Sequence, residues 1–396
     1  MIPRAVAALL SSLRFDSGKV NLPEFTESEW KDALYYLDRN QLTLALRSKV
    51  NLPENIRRRL DKNFSDNQRR IAQMKTAFSD AERALAEANV EFIVLKGFAN
   101  WEQFSPDPDC RVQYDLDLFC PTGTVEASQA LMRLGYESTP GAERFPTDHL
   151  PPLIRKTGWQ WRDDFFDPEI PISIELHYRL WDEATEAFPA PGVEDFWLRR
   201  ISQRLDPVDA LGFNALHLLR HLLRGDVRVS DIYELAYFLH TNVANDAFWT
   251  RWLDLHSPEL RRLEAVCFRL AREWFGCLLS PAAQTEVELL PAKIRRWFES
   301  SATSPIAAFF RPNKNELWLH LCLVGSFRKK SAVVRRRLLP MRLPGPLDSI
   351  FIPDEKMTLP LRLKKRWQYW RYVAGRVLFH VRALAPTFSR MFRIRL

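Results

Sequence analysis

Two aspartates one residue apart, Asp115 and Asp117, are the side chains of this sequence best suited to chemistry. They lie in YDLDLFC, residues 114–120, where apolar and aromatic residues predict a strand. In a strand, residues i and i+2 project from the same face, so the two carboxylates would lie side by side. Oxygen atoms in that arrangement suit a hard cation such as Mg²⁺. The same spacing also occurs in turns and on solvated surfaces, but the apolar surroundings favour a metal site.

A third carboxylate, Glu175, lies in ISIELHY, residues 172–178, which predicts another strand. If the two strands are neighbours, three acidic side chains converge, and such a cluster suits phosphoryl or nucleotidyl transfer with two metal ions. His177 shares the face of Glu175, and it either lines the same cleft or fills a structural position. On this interpretation, Asp117→Asn would relieve a like-charge repulsion and leave the melting temperature level or raised.

A lysine and a glycine, Lys96 and Gly97, end the apolar run VEFIVLKG, residues 90–97, which predicts a buried strand. Gly97 would let a phosphate approach the backbone closely, and Lys96 would supply a positive charge for it. Arg111 precedes Asp115 by four residues. It either contacts a phosphate or neutralises the carboxylates.

Strand and helix patterns alternate from about residue 90 to 180, which indicates an α+β fold with a small mixed β-sheet. VEASQALMRLG, residues 125–135, predicts a helix with Thr124 as its N-cap and Gly135 just past its end. GWQWRDDFF, residues 158–166, predicts a strand that forms a hairpin with ISIELHY or lies near it. Residues 98–113 predict a loop between the first two strands.

Helical patterns flank the predicted sheet on both sides. Before it, one apolar stripe recurs at spacings of three and four: Ile71, Met74, Phe78, Ala81 and Leu85. After it, DPVDALGFNALHLLRHLLRG begins a run of predicted helices. We expect an N-terminal helical region over residues 1–89, a core over 90–192, a larger helical domain over 193–325 and a basic, proline-containing tail over 326–396.

Three blocks of this sequence resemble the bacterial uncharacterised nucleotidyltransferase family of the DNA polymerase β-like superfamily. They are Leu95-Lys96-Gly97, Arg111 through Phe119, and Glu175 through Leu180. The later HLLRHLLRGDVRVSDI is similar to that family's helical region, so the resemblance covers most of the chain between residues 70 and 320. It implies a polymerase-β-type core and the transfer of a nucleoside monophosphate from an NTP.

The resemblance also implies a role for each candidate residue. Asp115 and Asp117 would bind metal, with Glu175 completing the site for two Mg²⁺ ions and activating the acceptor hydroxyl. Lys96, Gly97 and Arg111 would hold the triphosphate of the NTP. The acceptor stays open between a sugar, a small metabolite and a protein side chain.

The net charge of +8 is concentrated at the end of the chain. From Ser326 onward the sequence has 18 Lys or Arg residues against three acids. The last segment, KKRWQYWRYVAGRVLFHVRAL, mixes basic and aromatic residues, which suits an anionic membrane surface over residues 361–396. It suits nucleic acid less well, and its apolar face could instead pack on the body of the protein.

Five scattered cysteines without a C-x-x-C pair indicate reduced thiols, as in a cytoplasmic protein. The N-terminal residues lack a signal-peptide pattern, and no apolar run is long enough to span a membrane. We therefore expect a cytoplasmic protein, peripheral at the inner membrane face if its tail binds lipid. A competing hypothesis is a non-catalytic scaffold with a degenerate transferase core, docked by its basic tail on a membrane or on nucleic acid.

Overall fold

A small sheet lies between two helical regions in the computed structural model, which describes residues 2–18, 22–48, 51–139, 148–339 and 348–394. Before the sheet are α1 (Arg4–Ser12), α2 (Glu27–Arg39) and α3 (Glu54–Glu87). Within the sheet region are β1 (Ile93–Val94), α4 (Lys96–Phe104), β2 (Asp115–Phe119), α5 (Thr124–Arg133), β3 (Glu137–Ser138), β4 (Leu153–Ile154) and β5 (Ser173–His177). The expected α+β fold is confirmed.

The α-helices that follow β5 account for most of the remaining described chain. After β5 come α6 (Glu183–Glu186), α7 (Pro207–Arg224), α8 (Val229–Thr241), α9 (Asp246–Leu255), α10 (Pro258–Phe275), α11 (Pro281–Glu288) and α12 (Ala292–Ser301). They are followed by α13 (Ser304–Phe310), α14 (Glu316–Leu323), α15 (Phe327–Leu338) and α16 (Leu359–Ile394). In the described ranges, no helix has the length and apolarity needed to cross a membrane.

The sheet is mixed, with the strand order β1-β2-β5-β4-β3. The two central strands, β2 and β5, run parallel, whereas the other neighbouring strands pair antiparallel. A parallel pair needs a long crossover connection, and here α5, β3 and β4 lie between the two strands in the sequence. The expected strands YDLDLFC and ISIELHY are confirmed as neighbours.

Three local predictions are wrong. Residues 96–104 form α4, where a loop was expected from residue 98. Residues 158–166 form no strand and are mostly irregular, and within them Trp159 and Trp161 donate indole hydrogen bonds to Asp167 (2.9 Å) and Asp163 (2.8 Å). The partner of β5 on that side is β4 instead. Thr124 is the first residue of α5, and Gly123 occupies the N-cap position.

The two faces of the central strands have different roles. Leu116, Leu118, Ile174 and Leu176 point into an apolar core against α3 and α5. The alternation of side chains in a strand therefore places residues 115, 117, 175 and 177 on the opposite face. The predicted stripe of α3 contributes to the same core, and its members Met74, Ala81 and Leu85 are buried there, as expected.

Arg70 of α3 fixes the beginnings of both central strands. Its guanidinium is buried and donates to the carbonyl oxygens of Gln113 (2.7 Å), Tyr114 (3.3 Å) and Ile170 (2.6 Å). These carbonyls lie just before β2 and β5. Burial lowers the pKa of Arg70 to about 10, so the side chain stays charged at neutral pH. One planar side chain thus ties α3 to the strand ends that carry the acidic residues.

Arg70→Lys should destabilise the protein by about 2–4 kcal/mol, because a lysine keeps the charge but cannot reach three carbonyl oxygens at once. Urea unfolding followed by circular dichroism measures the change. Arg69→Lys is the matched control, since the neighbouring Arg69 is 60% exposed and should change the free energy of unfolding by less than about 0.5 kcal/mol. Equal stabilities for the two variants would contradict this role of Arg70.

Candidate active site

The acidic residues converge because of the register between the two parallel strands. Asp117 lies directly opposite Glu175, and Asp115 lies opposite Ser173. Since positions i and i+2 share a face, Asp115, Asp117, Glu175 and His177 all belong to the face that does not enter the apolar core. The register sets Asp117 beside Glu175, and the convergence of all three carboxylates on one metal site stays a prediction.

Asp117 is a buried carboxylate held by two cations. Its side chain is 2% exposed. Lys96 Nζ donates to its Oδ1 atom at 2.7 Å, and His177 Nε2 donates to the same atom at 3.0 Å. Burial alone would raise the pKa of Asp117, but the two cations outweigh it and hold the pKa well below its ordinary value. Asp117 is therefore fully ionised in the folded protein.

Lys96 reaches Asp117 from the end of β1. The backbone N–H of Leu95 donates to the carbonyl oxygen of Asp117 at 2.9 Å, which continues the pairing of β1 with β2. Lys96 itself has a φ of +54°, a left-handed conformation that non-glycine residues seldom adopt. This turn ends the strand, begins α4 and aims the ammonium at the carboxylate.

Gly97 makes room for the side chain of Arg111. A Cβ atom at position 97 would lie 2.0–2.2 Å from the guanidinium of Arg111, so a larger residue would have to displace it. The guanidinium donates to Gln113 Oε1 at 2.7 Å and forms an ion pair with Glu234 at 2.8 Å. Of the two roles considered for Arg111, neutralisation of carboxylates therefore applies to Glu234 of α8 rather than to the aspartate pair.

The pKa of Asp115 is shifted in the opposite direction from that of Asp117. Burial, together with the charges of Asp117 and Glu175, raises its pKa to about 6. Arg228 and Lys96 act against this shift but do not cancel it. Asp115 is thus the residue of the cluster that bears the repulsion between like charges, and a cation placed beside it would lower that cost.

His177 connects the cluster to a second buried group. Its Nδ1 atom lies 3.3 Å from Asp148 Oδ2, and Asp148 forms an ion pair with Arg220 of α7. Burial lowers the pKa of His177, but hydrogen bonds to Asp117 and Asp148 outweigh that and keep the pKa above its ordinary value. Arg220 also donates to His217 Nδ1 at 3.0 Å. The chain of contacts fixes the ring of His177 and, through it, the carboxylate of Asp117.

A cleft opens beside these residues between the sheet and the helices α7 and α8. Its empty volume is about 520 Å³, counted to its open mouth. The sheet side and α4 supply Lys96, Gly97, Arg111, Gln113, Asp115 and Asp117, and the helical side supplies Asn214, His217, Arg228, Asp231 and Glu234. Acidic and basic side chains therefore line both sides of this cleft.

The donor atoms of Asp117, Glu175 and His177 lie within 4.8 Å of one another. In the described part of the chain, this is the group of three side chains whose spacing suits a metal ion. Glu175 is 21% exposed, and its Oε2 atom lies 3.8 Å from His177 Nε2. Carboxylate oxygens suit Mg²⁺ or Mn²⁺, whereas an imidazole nitrogen suits softer divalent ions. His177 Nε2 is already bound to Asp117, so the carboxylates are the better ligands.

Residues 26–276 match the family described as uncharacterised nucleotidyltransferase. The chain belongs to this family. The match spans α2 to the end of α10 and includes every candidate residue of the cleft. Membership supports nucleotidyl transfer as the general activity, with a nucleotide as substrate and a divalent metal as the usual cofactor of such a family. No curated protein and no solved structure matches the chain.

Several residues of the site were not predicted from the sequence. Asp148, Gln113 and Glu234 belong to no motif, and their partners lie 72, 2 and 123 residues away in the sequence. Arg228 lines the cleft and forms an ion pair with Asp231 at 3.5 Å. A basic residue at the N-terminus of α8, three residues before an acid, was the available signal for it.

Asp115→Asn and Asp117→Asn should change stability in opposite directions. Above pH 6, Asp115→Asn should stabilise the protein by about 1–3 kcal/mol, because it removes a carboxylate that burial and repulsion disfavour. Asp117→Asn should destabilise it by about 3 kcal/mol, because Lys96 and His177 lose their counter-charge. The sequence-based expectation for Asp117→Asn is therefore reversed.

Urea unfolding of the two variants and the wild type, measured on metal-free protein at several pH values, tests these opposite stability changes. The folded pKa of Asp115 is raised, so its ionisation costs stability only as pH rises from about 4 to about 6. The gain from Asp115→Asn should grow over that interval and vanish below it. A gain that does not depend on pH, or the same sign for both variants, would contradict the assigned charge states.

Proposed function

We propose that this protein is a Mg²⁺-dependent nucleotidyltransferase, which transfers a nucleoside monophosphate from an NTP to the hydroxyl of a sugar, a small metabolite or a protein side chain. The observation that carries the proposal is the register of β2 and β5, which sets Asp117 beside Glu175 with Asp115 next to them. Family membership supports nucleotidyl transfer in general, and the cleft supplies basic groups for a phosphate chain.

Asp115, Asp117 and Glu175 are the residues proposed to hold two Mg²⁺ ions. The raised pKa of Asp115 supports this assignment, because it marks a place where negative charge exceeds the local positive charge. When bound, Mg²⁺ would neutralise the phosphates and polarise the attacking oxygen. His177 is proposed as a positioning residue, because its hydrogen bond to Asp117 and its contact with Asp148 fix the orientation of a carboxylate proposed to bind metal.

Lys96, Gly97 and Arg111 are proposed to hold the triphosphate. The side chains of Lys96 and Arg111 are only 14% and 12% exposed, and both line the cleft. Gly97 lies buried at the start of α4 against the guanidinium of Arg111, and the N–H groups of a helix start favour anions. Arg228 lines the cleft as well, and its pKa is raised by Asp231, so it adds a permanent positive charge.

In the proposed reaction, the acceptor hydroxyl oxygen attacks the α-phosphorus of the NTP. The bond from that phosphorus to the bridging oxygen of the β-phosphate breaks, and pyrophosphate leaves. Glu175 accepts the hydroxyl proton, a role that its partial exposure at the edge of the cluster permits. Lys96 and Arg111 offset the negative charge that gathers on the pyrophosphate.

The core over residues 90–192 and the helical domain over residues 193–325 are proposed to act together, because residues of both line the cleft. The polymerase-β-type assignment of the core is part of the same proposal. A cytoplasmic location is supported by five free cysteines, which suit a reducing compartment.

Asp117→Asn and Glu175→Gln should each lower nucleotidyl transfer at least about 100-fold, because each removes a proposed metal ligand. Incubation of the full chain with each of the four α-labelled NTPs, Mg²⁺ and a cell extract measures transfer of label whichever acceptor the extract contains. Glu137→Gln is the matched control, since it removes a carboxylate from the far strand of the same sheet. Retained transfer in Asp117→Asn would refute the metal assignment, and Mg²⁺ that fails to shift the melting curve would favour the scaffold hypothesis.

Gly97→Ala should raise the KM for the NTP about tenfold with a smaller change in kcat, because the new methyl group displaces Arg111 from the cleft. Arg111→Gln should raise the KM for the NTP by a similar factor. Gly325→Ala is the control, since no atom lies within 4 Å of the Cβ position there. An unchanged KM in both Gly97→Ala and Arg111→Gln would remove Arg111 from the triphosphate site.

A further inference from the structure

An apolar stripe runs along the outside of α16. Six of its side chains are 48–69% exposed, and we call them the apolar stripe: Leu359, Leu363, Trp367, Trp370, Val377 and Val381. At about 100° of rotation per residue, these positions fall within an arc of about 80°. The stripe is about 33 Å long at 1.5 Å per residue. Exposed apolar side chains this continuous mark a surface that another molecule covers.

A different side of α16 is attached to the body of the protein. Thr387 Oγ1 accepts a hydrogen bond from the backbone of Lys314 (2.9 Å), and the carbonyl of Thr387 accepts one from the indole of Trp318 (3.0 Å). Val373 and Ala383 are buried on the same side of the helix as Thr387. The apolar stripe therefore faces away from the protein because that other side of the helix is already packed.

Basic residues line both borders of the apolar stripe. The helix Leu359–Ile394 contains nine Lys or Arg residues and no acid. Arg362 and Arg366 lie along one border, and Lys364, Arg371 and Arg382 lie along the other, all of them exposed. The stripe also carries two tryptophans, whose rings suit the headgroup region of a bilayer. This arrangement is typical of a helix that lies in a membrane interface.

Charge and apolar character together distinguish the candidate occupants of this surface. A second copy of the chain would bring two helices of the same strong positive charge together, which disfavours pairing. Nucleic acid would satisfy the basic borders but offers no apolar surface for the leucines and valines of the stripe. An anionic bilayer satisfies both, since its acyl chains take the stripe and its headgroups take the basic side chains.

We propose that α16 docks this protein on an anionic lipid surface, lying parallel to the membrane with the apolar stripe in the boundary between headgroups and acyl chains. Anionic headgroups would contact the basic residues on both borders. The helix lies beyond residue 276, where the family match ends, and none of its described residues lines the cleft. It does not depend on the proposed reaction.

Flotation of the full-length protein with vesicles tests the proposal. Vesicles of phosphatidylcholine containing phosphatidylglycerol should carry the protein, and vesicles of phosphatidylcholine alone should carry much less. The triple variant Trp367→Ser, Val377→Ser, Val381→Ser should lower binding at least about tenfold, because it removes the apolar contacts while the charges remain. These side chains are exposed, so the melting temperature should stay within a few degrees of the wild type.

Two controls make the result specific. The first control is a triple variant that removes three apolar side chains elsewhere on the surface, each 62–75% exposed: Val125→Ser, Leu198→Ser, Leu289→Ser. It should bind vesicles as the wild type does. The second control is a triple variant that removes three charges from the borders of the stripe: Arg366→Gln, Arg371→Gln, Arg382→Gln. It should reduce the preference for phosphatidylglycerol, and added salt should have the same effect.

Equal vesicle binding by the stripe variant and its control would overturn the proposal. The proposal would also be overturned if light scattering showed a dimer for the wild type and a monomer for the stripe variant, since a second copy would then cover the surface. Salt-dependent binding to DNA or RNA with no vesicle binding would instead assign the tail to nucleic acid, and would equally overturn it.

Discussion

The structure depends on the neutralisation of one buried carboxylate. Asp117 is almost inaccessible to water, and an unpaired charge in such a place costs several kcal/mol or shifts its pKa until it is neutral. Lys96 and His177 prevent both outcomes by donating to a single oxygen atom of Asp117. This requirement brings together the end of β1, the middle of β2 and the end of β5. The geometry of the candidate active site follows from it.

The same requirement explains the division of the sheet into two faces. Residues at even positions of β2 and β5 fill an apolar core under α3 and α5, and residues at odd positions carry the acidic groups. Helices α7 and α8 close the second face with Arg220, Arg228 and Glu234, which extend the charge pairing outward. The excess negative charge that remains is concentrated at Asp115.

The sequence predicts the convergence of the acidic residues, because side-chain alternation in strands and the apolar flanks of Asp115 and Glu175 are local features. The sequence predicts Lys96 as a charge for a phosphate, not as the partner of Asp117 that the structure shows. It does not distinguish Asp115 from Asp117. Their different pKa values come from contacts with Lys96, from β5 and from α8, and these depend on the tertiary fold.

Long-range partners explain the remaining differences. The expected strand at residues 158–166 has suitable composition, yet the segment is irregular and its two tryptophans bond to Asp163 and Asp167. Asp148 and Arg220 form their buried pair across 72 residues of sequence, and no periodicity signals it. The outward face of α16 was predicted only as one of several outcomes, because a basic amphipathic pattern does not reveal which of its sides packs on the protein.

Diffraction from crystals grown with Mn²⁺ and a non-hydrolysable NTP tests the central claim most directly. The account predicts anomalous density within about 2.0–2.5 Å of carboxylate oxygens of Asp117 and Glu175, with the phosphate chain against Gly97 and Arg111. A bound nucleotide without metal density, with Lys96 and His177 still sharing Asp117 as their common acceptor, would contradict it.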